Sequence, residues 1–284
     1  MEKTYDKERI IVKLIICAIL IAILINKLMS ITGLKSQGYN IISSDLIVEF
    51  IDVGYGNATF VKNDNFTMLI DTGDKAHYNN VVETLKKYNV KKLDYLFLTN
   101  NKNEHIGASS KIIKKYNPDN ILASAMINSL DTNKKVKYPN AGYMFNYDKL
   151  KIRVIAPMEN KITKNNSEIL SLMVRLDYGG TGFLICSDAT IDKYYQILKV
   201  DKTQAFGNID VLGVENHGSI GAHDNEKTAM ELLNPKYAVI SSNTHNIKKE
   251  LTDAFNFQSI KAFFTKDNGN IKFSSNGEKI KLNN

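Results

Sequence analysis

From residue 46 onward the chain alternates short apolar runs with polar breaks. Residues 46–53, 58–62 and 67–70 are rich in Val, Ile, Leu and Phe. They are separated by Gly54-Tyr55-Gly56-Asn57 and Asn63-Asp64-Asn65. Runs of that length between turn-forming clusters predict three strands joined by tight connections. Val81, Val82, Leu85 and Tyr88 recur at a helical period, which predicts a helix over 78–88; a bulky apolar strand follows at 95–98. A second helix is predicted over 109–116, stopped by Pro118. Beyond it come a strand at 121–126, a lysine-rich loop at 131–142, a strand pair within 147–156 closed by Pro157, and a polar loop at 160–166. Residues 172–178 and 183–186 flank Gly179-Gly180-Thr181-Gly182 and predict a hairpin. Helices are expected at 191–198 and 225–233, strands at 209–214 and 237–241, and a last mixed stretch at 262–273. Strands mixed with helices throughout predict an α/β (α+β) domain.

The amino-terminal pattern is different. Residues 10–25 are apolar apart from Lys13, the length of a signal-peptide core and marginal for a membrane span. Asn26, Lys27, Leu28 and Met29 offer no small-residue cleavage site, and Lys3, Lys7, Arg9 and Lys13 favour a cytoplasmic amino terminus. The expectation is an uncleaved signal-anchor or transmembrane segment over 1–30, a linker over 31–45, and a domain over 46–284 outside the cytoplasm of a single-pass cell-membrane protein. The alternative is a buried helix of the domain, although the run shows little amphipathicity.

Composition narrows the class. With 284 residues, 43% hydrophobic and 24% charged, the chain can bury a substantial core and is not a disordered polyelectrolyte. Cys17 sits in the apolar run and Cys186 in an expected core strand, so no disulfide framework is implied. Of the formal net charge of +7, residues 1–45 carry six basic and four acidic groups, leaving +5 on the domain. That balance permits an anionic partner and equally suits an ordinary solvated surface.

The candidate chemistry lies where strands end. The 95–98 run stops at Thr99 and opens into Asn100-Asn101-Lys102-Asn103-Glu104-His105-Ile106-Gly107. A strand delivering Glu and His into a loop can build a metal site; a solvated turn over 100–103 fits as well. Asp52 and Asp71 each precede glycine-containing turns and could simply bind loop backbone. The strand at 183–186 ends in Ser187-Asp188, and that at 209–214 ends in Glu215-Asn216-His217-Gly218. His77 and His223 read as exposed loop residues, and His245 as either a turn residue or a ligand.

These segments together resemble the metallo-β-lactamase superfamily, and within it the domain of ComEC-type DNA-internalisation proteins. Phe-Ile-Asp-Val-Gly-Tyr-Gly-Asn-Ala over 50–58 is similar to that type's Phe-Ile-Asp-Val-Gly-Gln-Gly-Asp-Ala, with Tyr55 and Asn57 as departures. Leu-Ile-Asp-Thr-Gly over 69–73 matches it unchanged. Its Thr followed by His-x-His-x-Asp-His falls on Thr99, Asn100, Lys102, Glu104 and His105, so only the last histidine remains. Asp188 falls on the aspartate that bridges two metals, with Ser187 in place of glycine, and Asn216-His217 on a His-His pair. The resemblance covers about residues 46–275. It implies an αββα sandwich of two mixed sheets with a site where loops of both meet. An intact site of this kind binds two metals and hydrolyses a phosphodiester or related bond.

Carried over residue by residue, the resemblance gives Asp71 and Asp188 as catalytic carboxylates and Glu104, His105, Asp188 and His217 as metal ligands. Asn100, Lys102 and Asn216 then stand at degenerate ligand positions. The losses fall on one metal: neither an amide nor an ammonium suits Zn²⁺. Lys102 is expected to point into that vacated position and pair with Asp188. Two functions follow: a non-hydrolytic, ComEC-like domain that binds DNA or another anionic ligand, or a single-metal hydrolase holding one Zn or Mn ion. The membrane and DNA are the expected partners.

Overall fold

In the strand Leu46–Phe50 (β1), Leu46, Val48 and Phe50 fall on one buried face, the period-two arrangement that places alternate side chains on one side of a sheet. The structure is a computed structural model that describes residues 45–158, 170–189, 207–218, 233–242, 247 and 249–283. All of these belong to the unit Ser44–Asn284. The expected anchor and linker, and the helices expected at 191–198 and most of 225–233, lie outside the described residues, as do His223 and His245. Among the described residues no helix is long and apolar enough to cross a membrane.

β1 continues through Thr59–Asn63 (β2) and Phe66–Ile70 (β3) as an antiparallel meander. A crossover through the helix Tyr78–Lys87 (α1) then places Tyr95–Leu98 (β4) parallel to β3. The one-turn helix Asn103–Ile106 (α2) and the helix Ser109–Tyr116 (α3) lead to Asn120–Ala123 (β5), again parallel. α3 stops where Asn117 adopts a left-handed conformation ahead of Pro118. Val136–Lys137 (β6) adds a two-residue edge strand within the stretch expected to be only a loop; the pairing with β5 supplies what so polar a segment lacks in propensity.

The second sheet contains Met144–Tyr147 (β7), Leu150–Ala156 (β8), Met173–Tyr178 (β9), Thr181–Ile185 (β10), Val211–Gly213 (β11), Tyr237–Ile240 (β12) and Lys261–Phe264 (β13). β7 to β10 pair antiparallel and β10 to β13 parallel. The helix Lys249–Phe257 (α4), absent from the sequence expectations, connects β12 to β13, and Thr265–Asn268 (α5) follows β13. Ile271–Ser275 (β14) and Ile280–Leu282 (β15) return to the first sheet beside β1. The first sheet runs β15-β14-β1-β2-β3-β4-β5-β6 and the second β13-β12-β11-β10-β9-β8-β7, so both are mixed.

The sheets pack through Val48, Phe50, Met68 and Phe97 on one side and Ile152, Leu176, Phe183 and Val211 on the other. The outer face of the first sheet is covered by Val81, Leu85 and Ile112 of α1 and α3. That of the second packs against Leu251 and Phe255 of α4. Strands buried on both faces explain the near-continuous apolar runs in the sequence. β3 to β6 in the first sheet and β10 to β13 in the second pair parallel, so their carboxyl ends share a direction within each sheet. Ligand sites in α/β sheets lie at such ends.

Candidate metal centre

Every expected site residue that the structure describes follows one of those strand ends. Asp71 follows β3, Asn100 and Lys102 follow β4, Asp188 follows β10, and His217 follows β11. Glu104 and His105 stand on α2 and not on an open loop. α2 is only one turn long, too short to show a helical period in the sequence.

His105 is the centre of the arrangement. Its Nδ1 donates to Asp71 Oδ2 at 2.9 Å. Asp71 is itself fixed by the Thr99 backbone N–H on Oδ1 at 2.7 Å and by the Thr99 hydroxyl on Oδ2. A carboxylate only accepts, so this contact assigns a proton to Nδ1 and turns Nε2 away from Asp71, the orientation that carboxylate–histidine–metal arrangements use. Nε2 lies 3.1 Å from Asp188 Oδ1, close enough for an ion pair, yet the alignment misses a hydrogen bond and both atoms remain without one. His217 repeats the pattern: Nδ1 donates to the Ser241 carbonyl at 3.1 Å, and Nε2 has no hydrogen-bond partner, 3.7 Å from the same Asp188 oxygen.

In the metal-free chain His105 Nε2 and Asp188 Oδ1 thus meet only as an ion pair, and His217 Nε2 beside them has no hydrogen bond. A buried acceptor left without a hydrogen bond costs about 1–3 kcal/mol, and His217 Nε2 bears that cost next to a carboxylate that a cation could share. Ligand atoms about 2.0–2.2 Å from a tetrahedral ion sit roughly 3.3–3.6 Å apart. The observed 3.1 and 3.7 Å bracket that spacing. The Glu104 carboxylate clusters with the two imidazoles, their ligand atoms all within 4.8 Å of one another. The donor set therefore fits one ion: His105, Asp188 and His217 through these atoms, with Glu104 beside the imidazoles.

Asp188 divides its two oxygens. Oδ1 faces the imidazoles, while Oδ2 accepts from Lys102 Nζ at 2.7 Å and from Asn100 Nδ2 at 3.3 Å. Asn100 also donates to the Ser171 hydroxyl at 2.7 Å and takes the Lys102 backbone N–H on Oδ1 at 2.9 Å. The amide and ammonium thus occupy the side of Asp188 opposite the imidazoles.

The electrostatics follow. Burial pushes the His105 imidazole down, but the Asp71 carboxylate, helped by Asp188, outweighs it and raises the pKa to about 10. Burial would lift the Asp188 carboxyl; contact with His105, then Lys102, instead holds it well below the usual range. For His217 burial dominates and lowers the pKa, leaving a neutral ring.

Glycines and strained turns shape the frame. A Cβ at Gly56 would lie 2.5 Å from the Glu104 carbonyl oxygen, so only glycine lets the 54–57 loop close on α2. Ser187, where the resemblance has glycine, takes φ +54°, and its hydroxyl meets that of Thr99. Asn216 and His217 are consecutive left-handed residues, with the Asn216 N–H held by the Ser187 carbonyl at 2.7 Å. Sequence reading missed Ser171 and Ser241 as supports; a serine at a strand end is too common to signal anything. It also noted Tyr55 only as a departure, whereas its ring covers His217 with centroids 4.3 Å apart. Asp52 takes the Gly54 N–H on Oδ1, a turn-forming role, and His77 pairs with Asp74 at 2.8 Å, half-exposed.

The chain has the metallo-β-lactamase fold: the family description "Metallo-beta-lactamase superfamily" matches residues 51–152. Solved structures agree at the level of fold. The metallo-beta-lactamase fold protein YhfI from Bacillus subtilis is 11% identical, covering 82% of this chain and 100% of its own, with a TM-score of 0.57. Igni18, a metallo hydrolase from Ignicoccus hospitalis, is 15% identical, covering 80% and 98%, at 0.53. Within the fold, the chain is similar to the competence-related ComEC type. ComE operon protein 3 of Bacillus subtilis is 26% identical over 83% of this chain and 34% of its own length. Recombination protein 2 of Haemophilus influenzae is 28% identical over 70% and 24%. The chain thus spans about a third and a quarter of these relatives.

Proposed function

We propose that this chain is a single-metal hydrolase of the phosphodiesterase or nuclease kind, acting on DNA during its uptake. The observation that carries the reading is the convergence of His105 Nε2, Asp188 Oδ1 and His217 Nε2, all buried and without hydrogen bonds. Two imidazoles and a carboxylate suit Zn²⁺ or Mn²⁺. When bound, such an ion would supply Lewis acidity toward a phosphoryl oxygen. Asp71 orients His105 and fixes its tautomer. Lys102 stands where the resemblance has a ligand of a second metal, and its ammonium supplies one positive charge to Asp188 in that metal's place. The similarity to ComE operon protein 3 and Recombination protein 2 supports DNA as the polymer, and the +5 left on residues 46–284 permits a polyanion.

A second reading, a domain that binds DNA without cutting it, is favoured by the same Lys102–Asp188 pair, because an ammonium cannot position an attacking water as a second metal would. Labelled single-stranded DNA incubated with the protein and Mn²⁺ or Zn²⁺ separates the two. Shortening that Asp188→Ala abolishes supports the hydrolase; retention without shortening supports the binding domain. For location, we propose that residues 1–30 anchor the chain with 46–284 outside the cytoplasm. Protease added to intact spheroplasts should digest the domain, and protection until lysis would refute that orientation.

A further inference from the structure

Tyr55 is 44% exposed although its ring lies against His217, which is 1% exposed. The ring planes are inclined by 38° with centroids 4.3 Å apart. The loop that carries it is pinned on both sides. Gly54 takes φ +69°, donates to Asp52 Oδ1 at 3.0 Å, and rests on the His77 ring, which a Cβ there would meet at 2.8 Å. Gly56 abuts the Glu104 carbonyl, which also accepts the Asn57 N–H at 3.1 Å, and the Asn57 carbonyl accepts the Gly73 N–H at 2.9 Å. These anchors fix the backbone on either side of Tyr55, and the contact with His217 holds its ring. One ring face is spent on His217, and the remainder is open at the rim of the centre.

Lys102 reaches the same centre through Asp188. Its side chain is one-third exposed and its ammonium holds Asp188 Oδ2, while Asp188 Oδ1 faces His217. An exposed aromatic ring and a cation therefore flank one carboxylate–imidazole pair. The ligand chemistry that matches is a planar ring a short reach from an anionic group, which is a nucleotide within a strand. A ring can stack on Tyr55 only if it is unpaired.

We propose that Tyr55 is a stacking platform for an unpaired nucleobase, so that the centre takes DNA as a single strand with a phosphate held toward Lys102. This rests on the reading of DNA as the polymer and adds which form is recognised and by which residue. Base–aromatic stacking typically contributes about 1–3 kcal/mol per base on alanine substitution, roughly a 5- to 150-fold change in affinity.

The test uses the 284-residue chain, a fluorescent single-stranded oligodeoxynucleotide, and an abasic strand with the same number of phosphates. Wild type and Tyr55→Phe should prefer the base-bearing strand by about tenfold. Tyr55→Ala should lose that preference while keeping its affinity for the abasic strand. The chain contains no tryptophan, so Tyr55→Trp places a single reporter at the site; its emission should be quenched by the base-bearing strand and not by the abasic one. Equal binding of both strands by wild type, or a preference that survives Tyr55→Ala, overturns the proposal. If the strand is still shortened with metal in that case, the hydrolase reading stands without Tyr55. If neither strand binds at low salt, DNA is removed as the polymer and both readings fall.

Discussion

Lys102→Met tests whether the ammonium does the work of a missing cation. The substitution keeps an unbranched chain one atom shorter and removes its charge, leaving the Asp188 carboxylate, 0% exposed, with the Asn100 amide on Oδ2. Breaking a fully buried ion pair costs about 3–5 kcal/mol, and an exposed one about 0–1 kcal/mol. Lys102 is 33% exposed and one hydrogen bond to the oxygen survives, so a cost of about 1–2 kcal/mol lies between these limits. For a domain of this size that lowers Tm by about 2–8 °C. The cost should apply to the metal-free protein in chelator. With Zn²⁺ or Mn²⁺ added, the ion would neutralise Asp188 instead, and the gap between wild type and variant should narrow.

The same change should strengthen metal binding, because a positive charge beside the centre opposes a divalent ion. Unit charges about 4 Å apart interact by roughly 4 kcal/mol at an effective dielectric of about 20. Partial exposure of Lys102 reduces that, and a rise in affinity of about tenfold, some 1.4 kcal/mol, is the expectation. Thermal melts in chelator and in metal, with titration calorimetry for the ion, read both effects. An unchanged Tm in chelator together with unchanged metal affinity would refute the reasoning, since the 2.7 Å pair would then carry no energetic weight.

Metal content separates the remaining expectations. Purified wild type should bind one ion per chain, and His217→Ala or Asp188→Ala should bind none, as read by elemental analysis after equilibration with Zn²⁺. Asn100→His combined with Lys102→His should raise the count to two, since it replaces an amide and an ammonium with imidazoles on the Oδ2 side of Asp188; a count that stays at one contradicts the vacated-site reading. Gly56→Ala should destabilise the domain by about 1–3 kcal/mol and weaken metal binding, because its Cβ would meet the rigid Glu104 carbonyl at 2.5 Å. Glu49→Ala serves as the control. Glu49 is buried against the Tyr88 hydroxyl and Asn270 Nδ2, away from the centre, so its loss should cost about 1–3 kcal/mol and leave metal content unchanged.

Much of the frame was legible because it depends on local pattern. The helix expected over 109–116 spans those residues, and the expected hairpin forms with a tighter turn, Gly179-Gly180, because Thr181 and Gly182 pair as the start of β10. α4 was not legible, since its buried face is limited to Leu251, Ala254 and Phe255 within a polar segment. The strand-end residues could be named from the sequence, but not the use of each atom. That Asp188 gives Oδ2 to Lys102 and Oδ1 to two imidazoles depends on how strands from two sheets meet, which no local rule contains. The same holds for Tyr55 on His217, residues 162 positions apart in the chain.

Backbone strain points to the same place. Ten described residues other than glycine have positive φ. Away from the centre they are Asp64, Asn89, Asn117, Asp148, Asn234 and Ser259, almost all Asn or Asp, which tolerate the left-handed region through local hydrogen bonding. At the centre they are Asp71, Ser187, Asn216 and His217. Histidine shares the tolerance of Asn and Asp, so at the centre Ser187 is the position that bears the cost, typically about 1–2 kcal/mol for a residue there. Each of these conformations has a consequence for the cluster. At Asp71 the chain turns off β3 with the carboxylate against His105. At Ser187 it turns off β10 to present Asp188. The consecutive pair Asn216-His217 turns off β11 so that His217 Nδ1 reaches the Ser241 carbonyl and Nε2 faces Asp188. Strain of this kind persists where surrounding structure holds it, and here it coincides with the three buried atoms that lack hydrogen bonds. Ser187→Gly would remove one strained position without touching a proposed ligand. If the strain is borne only to aim Asp188, that variant should keep one ion per chain with Tm equal to or above that of wild type, the loss of the Thr99–Ser187 contact offsetting part of the gain. A loss of metal from Ser187→Gly would show instead that the hydroxyl, and not the turn, is what holds the centre together.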